Sequence, residues 1–157
     1  RVGTGASDLL SQLGIEVTKW DISETANGGP FPEILKHNLF LNCIVATKNS
    51  PVFLAQNDLF CARRLSVIGD IACDPDSDYN PIAIYDEPTS WGSPSKLIQK
   101  NPVLEVVAID NLPALLPKES STDFASQLLP HLKDLNNLNS GIWSRAEKIF
   151  EEKIRGV

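Results

Sequence analysis

Three runs of nearly continuous apolar residues, at 39–46 (LFLNCIVA), 65–72 (LSVIGDIA) and 103–109 (VLEVVAI), constrain this chain more than any other feature. Each is short and bounded by turn-forming or polar residues, the pattern of a strand covered on both faces. Strands of that kind belong to parallel sheets, whose connections are long enough to hold a helix. Helical periodicity does flank them. Ala6, Leu9, Leu10 and Leu13 recur at three- and four-residue spacing, and Gly14 follows where a C-terminal cap belongs. Phe124, Leu128, Leu129, Leu132 and Leu135 mark a helix over 119–135, and Ala146, Ile149, Phe150 and Ile154 another over 142–154. Pro130 is expected to kink the first of these. Residues 15–20 read as a short β-prone run ended by Asp21, residues 32–36 as a short helical stretch, and 82–85 as an apolar piece inside the Asp-, Ser-, Pro- and Gly-rich segment 73–100. Tyr85 and Trp91 make that segment a loop-and-strand excursion rather than a tether. The expected fold is α/β, with a doubly wound, mostly parallel sheet followed by C-terminal helices.

Composition narrows the function classes. The 157 residues carry 14 basic and 20 acidic side chains, a net charge of −6, with no block of Lys or Arg, so a phosphate-backbone partner is not expected. A membrane-spanning helix needs roughly 18 or more consecutive apolar residues, and no segment approaches that. The start of the chain also lacks a basic, then apolar, export signal, and a soluble, cytoplasmic protein is expected. Cys43, Cys61 and Cys73 are odd in number and lack a CxxC spacing, so they read as reduced, partly buried thiols and no metal site is expected. His37 and His131 read as surface histidines, and Arg63-Arg64 as a solvated turn before a strand. No nucleophile–base–acid constellation can be assembled. The chain opens Arg1-Val2-Gly3-Thr4-Gly5 with no Met anywhere, and is read as a piece of a longer protein.

In a doubly wound sheet, ligands sit at the carboxyl ends of the strands. Gly3-Thr4-Gly5, opening a helix, is either a plain tight turn or a phosphate cradle, where glycine admits a pyrophosphate and the helix N-terminus offers free N–H groups. Asp21 ends the next apparent strand, near the roughly 20-residue separation at which dinucleotide folds place an acid on a ribose 2′-hydroxyl. A carboxylate there suits NAD and repels the 2′-phosphate of NADP; the other reading is a solvated acid capping the following turn. Asp74, Asp76 and Asp78 can be read as an acidic solvent loop, the last two most simply so. Asp70 and Asp110 follow apolar β-type sequence, where a carboxylate is costly unless paired or hydrogen-bonded.

Several segments taken in order resemble one family. They are Lys19-Trp20-Asp21-Ile22-Ser23-Glu24-Thr25, Gly28-Gly29-Pro30-Phe31-Pro32-Glu33-Ile34, Leu41-Asn42-Cys43-Ile44, Asp70-Ile71-Ala72-Cys73-Asp74, Asn80-Pro81-Ile82 and the long run from Ile109-Asp110-Asn111-Leu112-Pro113 to Glu119. Together they resemble the NAD-binding, Rossmann-like C-terminal half of the NAD-dependent, lysine-forming saccharopine dehydrogenases of fungi. The resemblance implies oxidative cleavage of saccharopine, with NAD and water, to lysine and 2-oxoglutarate in the aminoadipate route of lysine biosynthesis. It implies cofactor contacts at Arg1, Gly3, Gly5, Asp21, Thr25, Val45, Ile71, Ile109, Asp110, Asn111 and Leu112. Substrate contacts are implied at Ala72, Asp74, Asn111, Leu112 and Pro113, with Asp110 as an auxiliary catalytic acid.

The pattern also departs from the family. Val2 stands where the family's glycine-rich turn normally carries a Cys able to bridge to the Cys matching Cys43. The first strand of the nucleotide fold precedes Arg1. The Lys and His pair that moves protons belongs to an N-terminal domain, a missing partner from the same protein. The implied organisation is an NAD-binding domain over 1–118, incomplete at its start, and helices over 119–157 packing back toward that partner, in a monomer inactive as this piece alone. Without the first strand, a sheet of 39–46, 65–72 and 103–109 is expected to have a gap and not to fold stably. Two other readings remain. One is the lysine–2-oxoglutarate reductase half of a bifunctional enzyme, typically NADPH-dependent; the other is a non-catalytic nucleotide-binding module of alanine dehydrogenase-like fold.

Overall fold

The computed structural model describes residues 2–155. The chain divides into two compact units, Arg1–Leu112 and Pro113–Val157, where the sequence suggested a boundary after residue 118.

The first unit opens with helix α1 (Val2–Gln12), stopped by Gly14 at φ 73°. The Ile15 N–H reaches back to the Leu10 carbonyl at 3.0 Å, the glycine-dependent closure of a helix end. A short helix α2 (Ile22–Thr25) follows. Four strands then build the main sheet: β1 (Leu39–Asn42), β3 (Val67–Asp70), β5 (Lys96–Lys100) and β6 (Val103–Val107). Two short strands, β2 (Leu54–Ala55) and β4 (Ile82–Ala83), pair in parallel as a second sheet. The main sheet has the order β1-β3-β6-β5, with the first three parallel and β5 antiparallel to β6.

This α/β arrangement with a mostly parallel sheet is the one expected, with four corrections. The three apolar runs are contiguous hydrogen-bonded neighbours, so no gap interrupts them; β1 instead lies at the edge of the described sheet. Residues 15–20 form no strand, because a strand exists only as a pairing and no described strand lies beside them. Residues 96–100 do form one: KLIQK escapes an apolar-run search because an edge strand tolerates a charged, partly exposed pattern. Finally, burial alternates along β3 and β6 instead of covering both faces, with Ile68, Leu104 and Val106 inside and Gly69, Glu105 and Val107 half-buried.

The core joins that inner face to the loops around it. Ile68, Ile82, Leu104 and Val106 are almost wholly buried, each contributing roughly 1.5–3 kcal/mol. Phe31, Phe40 and Phe53 meet edge to face at 5.4 and 5.9 Å. Glycine at position 69 makes room for Leu41 on the neighbouring strand, since a Cβ there would lie 2.6 Å from Leu41 Cδ2 and that methyl would have to turn aside. At the amino ends of β3 and β6, the half-buried Arg63 is no solvated turn residue. Its guanidinium donates to the carbonyls of Leu65 (2.6 Å), Pro102 (2.7 Å) and Val103 (3.2 Å) and to Gln99 Oε1 (2.7 Å).

The second unit holds α3 (Pro117–Lys133) and α4 (Gly141–Ile154). Pro117 occupies the first turn, where its missing N–H costs nothing, and α3 runs on through Pro130. Trp143 Nε1 donates to the His131 carbonyl at 2.8 Å, tying the helices together.

Candidate functional site

The carboxyl ends of β1, β3 and β6 lie side by side, because their parallel registers place Asn42 beside Asp70 and Gly69 beside Val107. Asp70, the last residue of β3, is 1% exposed. It accepts from Asn42 Nδ2 at 2.9 Å, from the Tyr85 hydroxyl at 2.6 Å and from the Cys73 backbone N–H at 3.2 Å. The condition for burying this acid is thus met with donors alone. Asn42 Oδ1 is buried and has no hydrogen-bond partner among the described residues.

The two turns leaving β3 and β6 are both conformationally unusual. Cys73 has φ 46° and Asn111 φ 59°, in the left-handed region that residues with a Cβ rarely adopt. Cys73 is held there by its N–H on Asp70 and by its thiol, which donates to the Ala108 carbonyl at 3.0 Å. Burial, then the negative charges of Asp70, Asp110 and Asp74, push the Cys73 thiol up. Asp70 ends β3, Asp74 follows it and Asp110 follows the neighbouring parallel strand β6, so these acids belong to one end of the sheet. Burial raises the Cys43 thiol as well, followed by the charge of Asp70. Burial, its hydrogen bond to Asp70 and the surrounding negative charge all push the Tyr85 hydroxyl upward, so it remains a donor. All three cysteines are free thiols.

The other expected site residues are distributed as follows. Gly3 packs beside the end of β1, where an added Cβ would touch Cys43 Cβ at 3.5 Å, while the surface at Gly5 is open. Both glycines lie inside the first turns of α1, and no acidic side chain occupies the first turn. An anion at that end would meet no carboxylate from the described first turn. Asp21 caps α2: its Oδ1 accepts from the Ile22 N–H at 2.8 Å, and Glu24 returns a bond to the Asp21 N–H at 2.7 Å. Thr25 Oγ1 donates to the Asp21 carbonyl at 3.3 Å. Ile71 and Ala72 are half-buried, Ile109 is buried, and Asp74, Asp110 and Asn111 are exposed. Val45 is 88% exposed and walls nothing among the described residues. Leu112 is half-buried at the start of the 3-10 turn Leu112–Leu115; Pro113 is exposed and begins the second unit. Arg1 lies outside the described residues.

Sequence reasoning singled out Asp70 from its cost but missed Asn42 as its partner. The signal lies in equal spacing from the strand starts, which puts one at the end of β1 and the other at the end of β3. His37 and His131 are exposed. Among the described residues, no group of three or more His, Cys, Asp or Glu could hold a metal ion. No described helix is long and apolar enough to cross a membrane.

No protein-family profile matches the chain. Curated proteins do. The chain is 41% identical over 163 residues, 99% of its length, to the saccharopine dehydrogenase [NAD(+), L-lysine-forming] of Schizosaccharomyces pombe. The chain is thus similar, along nearly all of its length, to part of the fungal saccharopine dehydrogenases. The saccharopine dehydrogenases of Candida albicans and Neurospora crassa are each 40% identical over 98% of the chain. The chain spans 42–44% of the length of these three saccharopine dehydrogenases, so they carry further sequence that it does not.

Proposed function

We propose that the protein carrying this chain is an NAD-dependent saccharopine dehydrogenase and that the chain is its NAD-binding part. The observation that carries this reading is similarity along nearly the whole chain to enzymes named for that cofactor and that product. It is supported by a parallel sheet whose carboxyl ends gather the acids and turns in question.

In the reaction, saccharopine loses a hydride from the carbon bearing the secondary amine and that nitrogen's proton. The resulting imine takes up water and parts into lysine and 2-oxoglutarate. Bound NAD supplies the hydride acceptor. The first turn of α1, with Gly3 and Gly5, holds the pyrophosphate on free N–H groups. Asp21, with its second carboxylate oxygen, and Thr25 bind the adenosine ribose, while Ile71 and Ile109 supply apolar wall. Asp110, Asn111 and Leu112 stand beside the nicotinamide, and Ala72 and Asp74 face the substrate. Asp110, exposed, tunes the local charge rather than carrying the main proton transfers. Those belong to a Lys and His pair on a separate N-terminal domain, and the complete enzyme is a cytoplasmic monomer.

The full-length protein should form NADH when mixed with NAD and saccharopine, with lysine appearing in step, and should use NADP poorly. Absence of saccharopine-dependent NADH formation rejects the proposal, and a preference for NADPH with lysine and 2-oxoglutarate moves it to the reductase reading.

A further inference from the structure

We infer that Asp70 is a positioning residue that sets the cofactor-side turn 71–74 through hydrogen bonds to Cys73, Asn42 and Tyr85. The inference rests on the proposed function and extends it to a residue that has no contact role there.

The side chain stands on β3, which is flanked on both sides, so its Cα cannot drift. From that fixed point its two oxygens reach three different pieces of chain. Asn42 ends β1, Tyr85 lies just past β4, and Cys73 belongs to the turn that follows β3. A carboxylate only accepts, and it has lone pairs enough for three donors. The amide of an Asn at this position would have to set an N–H₂ against a donor already there. The bond to the Cys73 N–H holds that residue at φ 46°, a conformation a non-glycine residue keeps only when its surroundings fix it. The thiol's bond to Ala108 then docks the same turn on the end of β6. Between Asp70 and Cys73 lie Ile71 and Ala72, and Asp74 follows. The Ile71 N–H is bonded to the Asn42 carbonyl at 2.9 Å, so Asn42 holds the turn with its backbone as well as its side chain.

Tyr85 offers the mildest test. It is buried in the apolar cluster, and Tyr85→Phe keeps the ring while removing one of the three donors. In the full-length enzyme, Tyr85→Phe and Asp70→Asn should each raise the Kd and KM for NAD roughly tenfold, about the effect of losing a hydrogen bond to a charged group, with kcat changed no more than about twofold. The double variant should lose less than the two separate losses combined, since both act through one bond. Near wild-type KM in folded variants, with only a lowered unfolding midpoint, overturns the inference, as does a fall in kcat at constant KM. If Asp70→Asn does not fold, Tyr85→Phe alone decides. A wild-type full-length protein that binds no NAD instead rejects the proposed function, and this inference with it.

Discussion

The two ends of the main sheet each hold a charged side chain, Asp70 buried and Arg63 half-buried, with no opposite charge against it among the described residues, and they do so in contrasting ways. At the amino end, the two terminal nitrogens of Arg63 donate to three backbone carbonyls and a Gln side chain. At the carboxyl end, Asp70 collects two side-chain donors and one backbone N–H, next to a left-handed turn and two exposed acids. Three of its four acceptors are backbone carbonyls, present whatever the sequence, so the Arg63 arrangement needs little beyond an arginine in the right place and Gln99 beside it, and it serves to fasten the β5–β6 hairpin. The Asp70 arrangement requires Asn42, Tyr85 and Asp70 together, and in the proposed function it borders the cofactor side of the sheet. One end is a fastening; the other is a platform.

The largest expected effect tests the fastening. Arg63→Ala leaves the carbonyls of Leu65, Pro102 and Val103 without their donor and should cost about 3 kcal/mol in denaturant unfolding of the full-length protein, while the KM for NAD of the folded fraction stays unchanged. A changed KM would erase the contrast between the two ends. Next comes Asp21→Ala, which should lower the preference for NAD over NADP about tenfold, the size of a lost charge-assisted hydrogen bond. If binding measurements show only a small loss of stability and no change in preference, Asp21 is a helix cap and nothing more.

The smallest effect sharpens the electrostatics of the platform. The Tyr85 hydroxyl is pushed upward by burial first and then by Asp70, so in the folded protein it stays protonated where a free tyrosine, near pH 10, is half ionised. A group whose folded value is raised stabilises fully below its unfolded value, and that stability is lost as pH rises above it. The absorbance titration of wild type minus that of Tyr85→Phe should therefore stay flat through about pH 10. The wild type's stability margin over Tyr85→Phe should shrink only on the alkaline side of that point. A tyrosinate step in the difference near pH 10 would mean that Tyr85 does not face Asp70 in solution.

Much of this architecture was legible in the sequence because parallel strands advertise themselves. LFLN, VIGD and VLEVV are apolar enough to stand out, and Gly14 marked the end of α1. The rest was hidden for identifiable reasons. KLIQK pairs at an edge, where alternation with charged residues is allowed, and so it looked like loop. Residues 15–20 have β-type composition, but composition supplies no partner. Arg63 looked solvated because an Arg-Arg pair before a strand carries no trace of the Gln99, Pro102 and Val103 acceptors some forty residues later. In the site, the cost of an acid at position 70 was readable, whereas the identity of its donors depended on strand register and on where the excursion after Cys73 returned Tyr85.

The mixed direction of the main sheet has a consequence in time. The antiparallel β5–β6 pair is joined by a tight turn at Asn101 and Pro102, whereas β1–β3 and β3–β6 bring together segments separated by long crossovers. Closing a short loop loses less chain entropy and takes microseconds, while distant pairing waits on a much rarer encounter. The hairpin should therefore be the first part of the sheet to protect its amides in a pulse-labelled refolding experiment, with β1 among the last. Protection of β1 ahead of β5 would reverse that order. The edge strand that was hardest to read in the sequence thus becomes the seed on which the conspicuous parallel strands assemble.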